Sequence, residues 1–268
     1  ASRRIFRRDP ALVIASHDST DPHRVEEFRH PSEFPKDVAQ LFIEAESISV
    51  EFGLTWYQNL IDTVYSDNLG IRFFVLRRDS LPVAVLPLLI SQNWRGKQAQ
   101  ALANFYSALY APVLAPTLKA IELVPLLNAI RTAHGPFASF KFSPMDPQSQ
   151  SYRRLLNALR SAGMVPFQFF CFGNWYETVR QPWADYLAAR DGALRNTIKR
   201  MGKKFAADGG MVEIVQGGDD LSRAIADYEI VYASSWKMPE PFPAFMPGLV
   251  RACAQRGWLR LGLARLKD

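Results

Sequence analysis

The sequence predicts an α+β (α/β) fold with a mixed, mainly antiparallel β-sheet flanked by helices. Three observations lead to this class. Two apolar runs, Ile71–Leu76 and Val83–Ile90, are separated by a short polar turn, which is typical of an antiparallel hairpin. Segments with helical spacing alternate with strand-like segments along the chain. The order of two helices followed by a strand also occurs twice, which indicates a repeated architecture.

The first half contains a series of predicted elements after a loose N-terminal tail at residues 1–24, which holds at most one short strand at Ala11–Ala15. Helices are predicted where apolar residues recur every three or four positions, and strands where aromatic and β-branched residues cluster. In chain order they are helices Pro35–Ser47 and Leu54–Tyr65, strands Ile71–Leu76, Val83–Ile90 and Ala103–Leu114, helix Leu118–Ala133, strand Phe137–Phe142, helix Ser149–Ala162 and strand Val165–Thr178. Gly173 predicts a bulge in the last strand.

The second half repeats the opening of the first at an offset of about 185 residues, from Ile71 to Trp258. Its predicted elements are strand Met211–Val215, helices Asp219–Trp236 and Pro243–Arg256, and strand Trp258–Leu266. Lys267-Asp268 then matches Arg78-Asp79 of the hairpin turn. We therefore expect one complete copy at residues 25–180, and a basic linker helix with a partial second copy at 181–268. The exposed edge of the final strand predicts one of three outcomes: pairing with the sheet of the first half, self-association through the incomplete second sheet, or a natural chain that continues past Asp268.

A basic helix joins the two halves within the stretch from Tyr186 to Val215. Its apolar residues form one stripe at helical spacing: Leu194, Ile198, Met201 and Phe205. The cations Arg195, Lys199 and Lys203 form a second row, with Arg200 and Lys204 beside it. Asp208-Gly209-Gly210 predicts the helix end, because glycine adopts the left-handed conformation at low cost. The stripe favours packing, and the cation row is either a solvated face or a site for an anionic substrate group.

Composition limits the classes of protein to consider. With 32 basic and 26 acidic residues the net charge is +6, which favours phosphorylated molecules, nucleic acid or a membrane surface as partners. No run reaches the roughly 20 apolar residues of a membrane span, and the N-terminus lacks the apolar core of a secretory signal. Cys171 and Cys253 lie far apart in apolar contexts, which predicts buried free thiols. We therefore expect a cytoplasmic protein.

Few motifs point to a particular chemistry. The four histidines have irregular spacing without nearby cysteines, so no metal site is expected. Nucleophile-elbow, Walker and Rossmann patterns do not occur. Tyr106, Ser107 and Tyr110 fall on the predicted strand Ala103–Leu114, where a tyrosine could protonate a leaving thiolate or simply pack in the core.

The chain resembles GNAT acyltransferases, and more specifically the tandem FemAB-type transferases and the CelD-like (BcsL-like) proteins of bacterial cellulose and exopolysaccharide clusters. The similarity covers about residues 30–268, and the block Trp183–Lys204 is its most specific part. Shorter segments add to it: Pro82–Leu88, Asn104–Pro112, Ser234–Lys237 and Trp258–Leu266. The order of two helices, antiparallel strands and a crossover helix also matches the GNAT pattern.

The resemblance implies transfer of an acetyl or aminoacyl group to an amine, without a metal. The donor would be acyl-CoA or aminoacyl-tRNA, and the acceptor an anionic or phosphorylated molecule, with a role in exopolysaccharide or cell-envelope biosynthesis. One departure concerns the turn after the fourth strand, Tyr110–Thr117, which has no glycine and contains two prolines, so that it offers few amides to a pyrophosphate. Two alternatives remain open: a non-catalytic binding or assembly module with a degenerate GNAT fold, and a nucleic-acid (tRNA) binding protein that uses the basic helix.

Overall fold

A computed structural model describes residues 12–16 and 22–266 of the chain. The chain divides into two compact units, and the boundary between them along the sequence falls between Phe172 and Gly173. The domain limits predicted from the sequence, at residues 24 and 180, stay a prediction. The short strand predicted at Ala11–Ala15 is present at residues 12–16 and pairs with residues 23–28, so this part of the predicted tail is not loose; residues 1–11 and 17–21 lie outside the described residues.

The first unit is built on one large sheet with helices between its strands. Its strands are β1 (Leu12–Ser16), β2 (His23–Phe28), β3 (Ile71–Arg78), β4 (Leu81–Asn93), β5 (Gly96–Ala101), β6 (Val113–Leu114) and β7 (Phe137–Lys141). Its helices are α1 (Lys36–Ile48), α2 (Leu54–Val64), α3 (Val124–His134) and α4 (Gln150–Ser161). The sheet order is β1-β2-β3-β4-β5-β7, with β6 paired to β4. In this sheet β5 and β7 are parallel, and α3 lies in the connection between them. The other strand pairs are antiparallel. The predicted fold class is confirmed.

Helices cover both faces of this sheet, and this explains why β3 contains consecutive apolar residues instead of an alternation of apolar and polar ones. Phe73 faces α2 and the segment before α1, where its ring lies 5.7 Å from that of Tyr57 and 5.2 Å from that of Phe34. Phe74 faces the opposite way, into a core built with Leu126 and Leu127 of α3 and with residues of α4. Both rings are fully buried. The two faces therefore have separate cores, one aromatic and one aliphatic.

The predicted hairpin is confirmed, and its turn is tighter than expected. β3 and β4 pair from Ile71 opposite Leu89 to Arg78 opposite Leu81. Asp79 and Ser80 form the two-residue connection and have positive φ angles of 48° and 69°. Two consecutive positive φ angles give the backbone twist that matches the twist of the flanking strands.

One predicted strand is wrong and another is mostly wrong. In the predicted strand Ala103–Leu114, residues 103–112 are irregular and Val113–Leu114 forms the short strand β6. The strand before this loop is β5, where small alanines alternate with polar residues and give a weak pattern. Residues 164–180 form neither helix nor strand, so Val165–Thr178 has no ladder and Gly173 no bulge. Its aromatic side chains are exposed, for example Phe169 at 84%, and Cys171 is exposed as well. Aromatic content favours a strand only when a partner strand is available.

The second unit contains a smaller set of elements. These are α5 (Trp183–Ala188), α6 (Gly192–Ala207), β8 (Gly210–Val215), α7 (Leu221–Ala233), α8 (Phe245–Gln255) and β9 (Leu261–Leu266). β8 and β9 form an antiparallel pair, from Gly210 opposite Leu266 to Val215 opposite Leu261. A small core of Ile225, Val250 and Leu259 lies between the helices and β9. The order β8, α7, α8 and β9 in this unit is the same as the order β2, α1, α2 and β3 in the first unit: strand, helix, helix, strand.

Candidate anion-binding site

Helix α6 ends where the sequence predicts, and it begins at Gly192, after the separate short helix α5. The Asp191 side chain accepts a hydrogen bond from the backbone N–H of Leu194 at 3.0 Å and so caps the first turn. Gly209 follows the last turn with a φ of +83°, which a residue with a Cβ adopts only with strain. Local chemistry therefore defines both ends of the helix.

The cation row of α6 is exposed, and its members differ in what holds them. Arg195 donates from Nη1 to the carbonyl oxygen of Ala188, at 3.3 Å, across the corner between α5 and α6. Lys204, beside the row, pairs with Asp208 at 2.6 Å. Lys199 and Lys203 have no hydrogen-bond or ion-pair partner among the described residues. These two lysines, one helical turn apart, are the cations best able to meet a ligand.

The apolar stripe of α6 is only partly packed. Leu194, Ile198 and Met201 stay 40–49% exposed. Phe205 is half-buried and lies against Gly210, where a Cβ would come within 2.6 Å of the ring. The stripe predicted to pack therefore does so at its C-terminal end, next to the start of β8.

An aromatic group stands beside the N-terminal end of α6. The rings of Trp183 and Tyr186 stack at 5.6 Å, and the Arg190 guanidinium lies 4.4 Å from the centre of the Tyr186 ring. Arg190 also pairs with Glu177 at 3.3 Å. Because Arg190 is held by a ring and a carboxylate, it is not available to a ligand in the way that Lys199 is.

The tyrosines predicted as candidate acids lie in the irregular loop 102–112, not on a strand. Tyr110 is 2% exposed, and its hydroxyl donates to the carbonyl oxygen of Pro87 at 3.0 Å. Burial raises the pKa of Tyr110 well above its usual value. Tyr106 is half-buried, and its backbone N–H donates to Asn104 Oδ1 at 2.9 Å. Ser107 is buried, and its Oγ accepts from the Asn104 N–H at 3.4 Å. The three residues share a loop, and Tyr110 acts there as a core residue.

The same loop contains a feature that the sequence did not reveal. The carboxylate of Glu51, between α1 and α2, accepts hydrogen bonds from the backbone N–H groups of Ala108, at 3.0 Å, and Leu109, at 2.8 Å. These residues are 57 and 58 positions apart from Glu51, so that no local pattern could link them. The loop after β5 thus donates its amides to a carboxylate of the same chain.

Among the described residues, no helix has the length and apolar character needed to cross a bilayer. Within the same residues, no group of three or more His, Cys, Asp and Glu side chains could hold a metal ion.

Comparison with known proteins gives one family. The model of the acetyltransferase (GNAT) domain matches residues 192–268, from the start of α6 through β9. No curated protein matches the chain.

Two solved structures are similar at a low level. They show the aminoglycoside acetyltransferase meta-AAC0020 from an uncultured soil metagenomic sample, in complex with trehalose and with sisomicin. Each is 15% identical, covers 59% of this chain and 97% of its own, and has a TM-score of 0.36. Similarity of this size does not indicate what the present chain binds. The family match supports the resemblance at the level of the GNAT acetyltransferases, and it places that likeness on residues 192–268.

Proposed function

We propose that the chain takes part in acyl transfer to an amine, as a GNAT-type N-acyltransferase of the FemAB-like or CelD-like kind. The observation that carries this proposal is the family match over the second unit, α6 through β9. The group transferred would be acetyl or aminoacyl, and the setting exopolysaccharide or cell-envelope biosynthesis in the cytoplasm. In such a reaction the amine attacks the donor carbonyl, and the leaving thiolate or ribose oxygen takes up a proton.

The exposed cations of α6 support an anionic ligand at this helix. Acyl-CoA, aminoacyl-tRNA and phosphorylated acceptors all present phosphate groups, and lysines bind phosphate as mobile point charges. Lys199 and Lys203 would contact the phosphates, while Arg195 stays close to the C-terminal end of α5 and adds to the positive field. Of the two tyrosine candidates for the acid, Tyr110 is disfavoured, because its hydroxyl is buried and already donates to the carbonyl oxygen of Pro87.

Calorimetric titration with acetyl-CoA tests the proposal. We expect measurable binding to the wild-type chain, and about tenfold weaker binding to the double variant Lys199→Gln, Lys203→Gln, because two phosphate contacts are removed. The melting temperature should hardly change, since both side chains are exposed. Lys204→Gln is the matched control, because Lys204 is already paired with Asp208. Equal affinity of the wild type and the double variant would show that the cation row is a solvated face.

A non-catalytic binding or assembly module is the second candidate. It is favoured by the turn Tyr110–Thr117, where the resemblance would place the donor pyrophosphate, because this turn has no glycine and its two prolines lack amide donors. The absence of binding heat with any acyl-CoA would support this candidate over the transferase. Self-association through the two-stranded second sheet would suit such a module, and analytical ultracentrifugation would detect it.

Binding of tRNA through α6 is the third candidate, and it also suits an aminoacyl-tRNA donor. The exposed row of cations at four-residue spacing favours it. When binding depends on phosphate contacts, the logarithm of the binding constant falls linearly with the logarithm of the salt concentration. A tRNA titration at two or more salt concentrations therefore separates this candidate from the acyl-CoA enzyme.

A further inference from the structure

The contact between Glu51 and the loop after β5 has the geometry of a bound oxyanion. One carboxylate oxygen accepts from the N–H of Ala108 and the other from the N–H of Leu109, two consecutive backbone amides. Consecutive amides that point the same way form a concave anion site in many proteins. The backbone of Glu51 is held by the Ser49 hydroxyl, which accepts from the Glu51 N–H at 3.4 Å.

The loop keeps its shape through contacts that do not involve Glu51. The N–H of Leu102 donates to the carbonyl oxygen of Pro87 at 3.1 Å, and the N–H of Tyr110 to that of Pro144 at 2.6 Å. Between these two points, Asn104 accepts from the N–H groups of Tyr106 and Ser107 at 2.9 and 3.0 Å. The amides of Ala108 and Leu109 therefore stay oriented when the Glu51 carboxylate is taken away.

We propose that the amides of Ala108 and Leu109 form an oxyanion site in the first unit, which Glu51 closes from within the chain. Its ligands are small carboxylates or phosphates, which compete with Glu51 for the same two N–H groups. In the wild-type chain Glu51 wins, because it is present at high effective concentration. The proposal stands apart from acyl transfer, since it concerns the first unit and holds whether or not the second unit binds an acyl donor.

Chemical rescue of Glu51→Ala by acetate tests this site. The variant should melt about 4–8 °C below the wild type, because two hydrogen bonds to a charged acceptor are lost. Sodium acetate should restore the melting temperature in a saturable way, and at about ten times its Kd it should favour the folded state about tenfold. Inorganic phosphate is the second probe. In NMR spectra of the variant, the amide signals of Ala108 and Leu109 should shift as acetate is added.

Three comparisons keep the test specific. Sodium chloride at equal ionic strength measures the general salt effect. Glu44→Ala removes an exposed carboxylate of α1 that does not contact the loop, and it should show no gain from acetate beyond that of the wild type. Glu51→Ser takes the place of Glu51→Ala if the latter does not fold, since its short side chain also leaves both N–H groups open to acetate.

Equal gains from acetate and chloride in the Glu51 variant, or equal gains in Glu44→Ala, would overturn the site. An unchanged melting temperature in Glu51→Ala without an acetate-dependent shift of the two amides would overturn it as well.

Discussion

The two units carry the same charged cluster on the same framework. In the first unit, Arg77 of β3 pairs with Glu26 of β2 at 2.7 Å and with Asp37 of α1 at 2.6 Å. In the second, Arg265 of β9 pairs with Glu213 of β8 at 3.2 Å and with Asp227 of α7 at 2.5 Å. In each case an arginine joins the neighbouring strand to the helix that follows that strand.

The position of each cluster in its strand pair is also the same. Glu26 lies opposite Val75, two residues before Arg77, and Glu213 lies opposite Leu263, two residues before Arg265. The glutamate and arginine are 51 residues apart in the first unit and 52 in the second. The repeat therefore extends to individual side chains, beyond the order of helices and strands.

The surroundings of the two clusters differ. The Arg77 side chain is 10% exposed, because β4 continues the sheet beyond β3 and helices cover it. The Arg265 side chain is 29% exposed, since β9 pairs with β8 alone in the described part of the chain. Removing one member of a buried ion pair destabilises a protein far more than removing one member of an exposed pair. The same arrangement of charges should therefore contribute more to the free energy of unfolding in the first sheet than in the second.

The largest expected effect concerns the apolar positions that match in the two units. Phe73 of β3 is fully buried and matches Leu261 of β9, which is half-buried. Phe73→Ala should lower the free energy of unfolding by about 4 kcal/mol, because it leaves a cavity between the sheet and α2. Leu261→Ala should cost less than half as much. Urea unfolding followed by circular dichroism measures both, and equal losses would mean that the second unit buries β9 as fully as the first buries β3.

The next effect compares the two arginines directly. Arg77→Ala should lower the free energy of unfolding by about 3 kcal/mol, because the buried Glu26 carboxylate loses its main partner. Arg265→Ala should have a much smaller effect, since its carboxylates can turn to water. Hydrogen exchange measured by mass spectrometry locates each effect, with faster exchange in peptides of β2 and β3 for Arg77→Ala. Faster exchange of similar size around β8 and β9 in Arg265→Ala would remove the difference between the units.

The smallest effect is a pH dependence in the first cluster. The hydrogen bond from Arg77 lowers the pKa of Asp37 below its usual 3.8. The ionised Asp37 carboxylate therefore stabilises the folded state above about pH 4, and this contribution is lost as the pH falls through the lowered pKa. Because the side chain is 45% exposed, we expect less than about 1 kcal/mol.

Asp37→Asn tests this dependence. Its free energy of unfolding should lie below that of the wild type at about pH 6 and approach it as the pH falls through the lowered pKa, where Asp37 becomes protonated in both states. Asp67→Asn, at an exposed position, is the control and should show no such convergence. A difference between the wild type and Asp37→Asn that stays constant with pH would show that the carboxylate charge is not what matters.

Local patterns predicted much of the chain correctly. The helices α1, α2, α4, α6, α7 and α8 lie where apolar spacing, caps and glycines place them, with differences of a few residues at their ends. The hairpin of β3 and β4 follows from two apolar runs and a polar turn. The repeated order in the second half also follows from spacing. All of these depend on residues close together in sequence.

The predictions that failed depended on partners elsewhere in the chain. The aromatic segment Val165–Thr178 has the composition of a strand and is not one, because it has no paired strand. The small residues of β5 gave a weak signal, and its place between β4 and β7 makes it a strand. The candidate site divides in the same way: the cation row of α6 is visible in the sequence, while the role of Glu51 is not.

The sequence by itself determined the helices, the hairpin, the exposed row Arg195, Lys199 and Lys203, and the repeated order of elements, because periodicity, capping and turn chemistry act over a few residues. The tertiary structure decided which strands found partners, which tyrosine is buried, where the amides of Ala108 and Leu109 find an acceptor, and that Arg77 is buried while Arg265 is not. Those outcomes depend on hydrogen bonds and burial between residues that are distant along the chain.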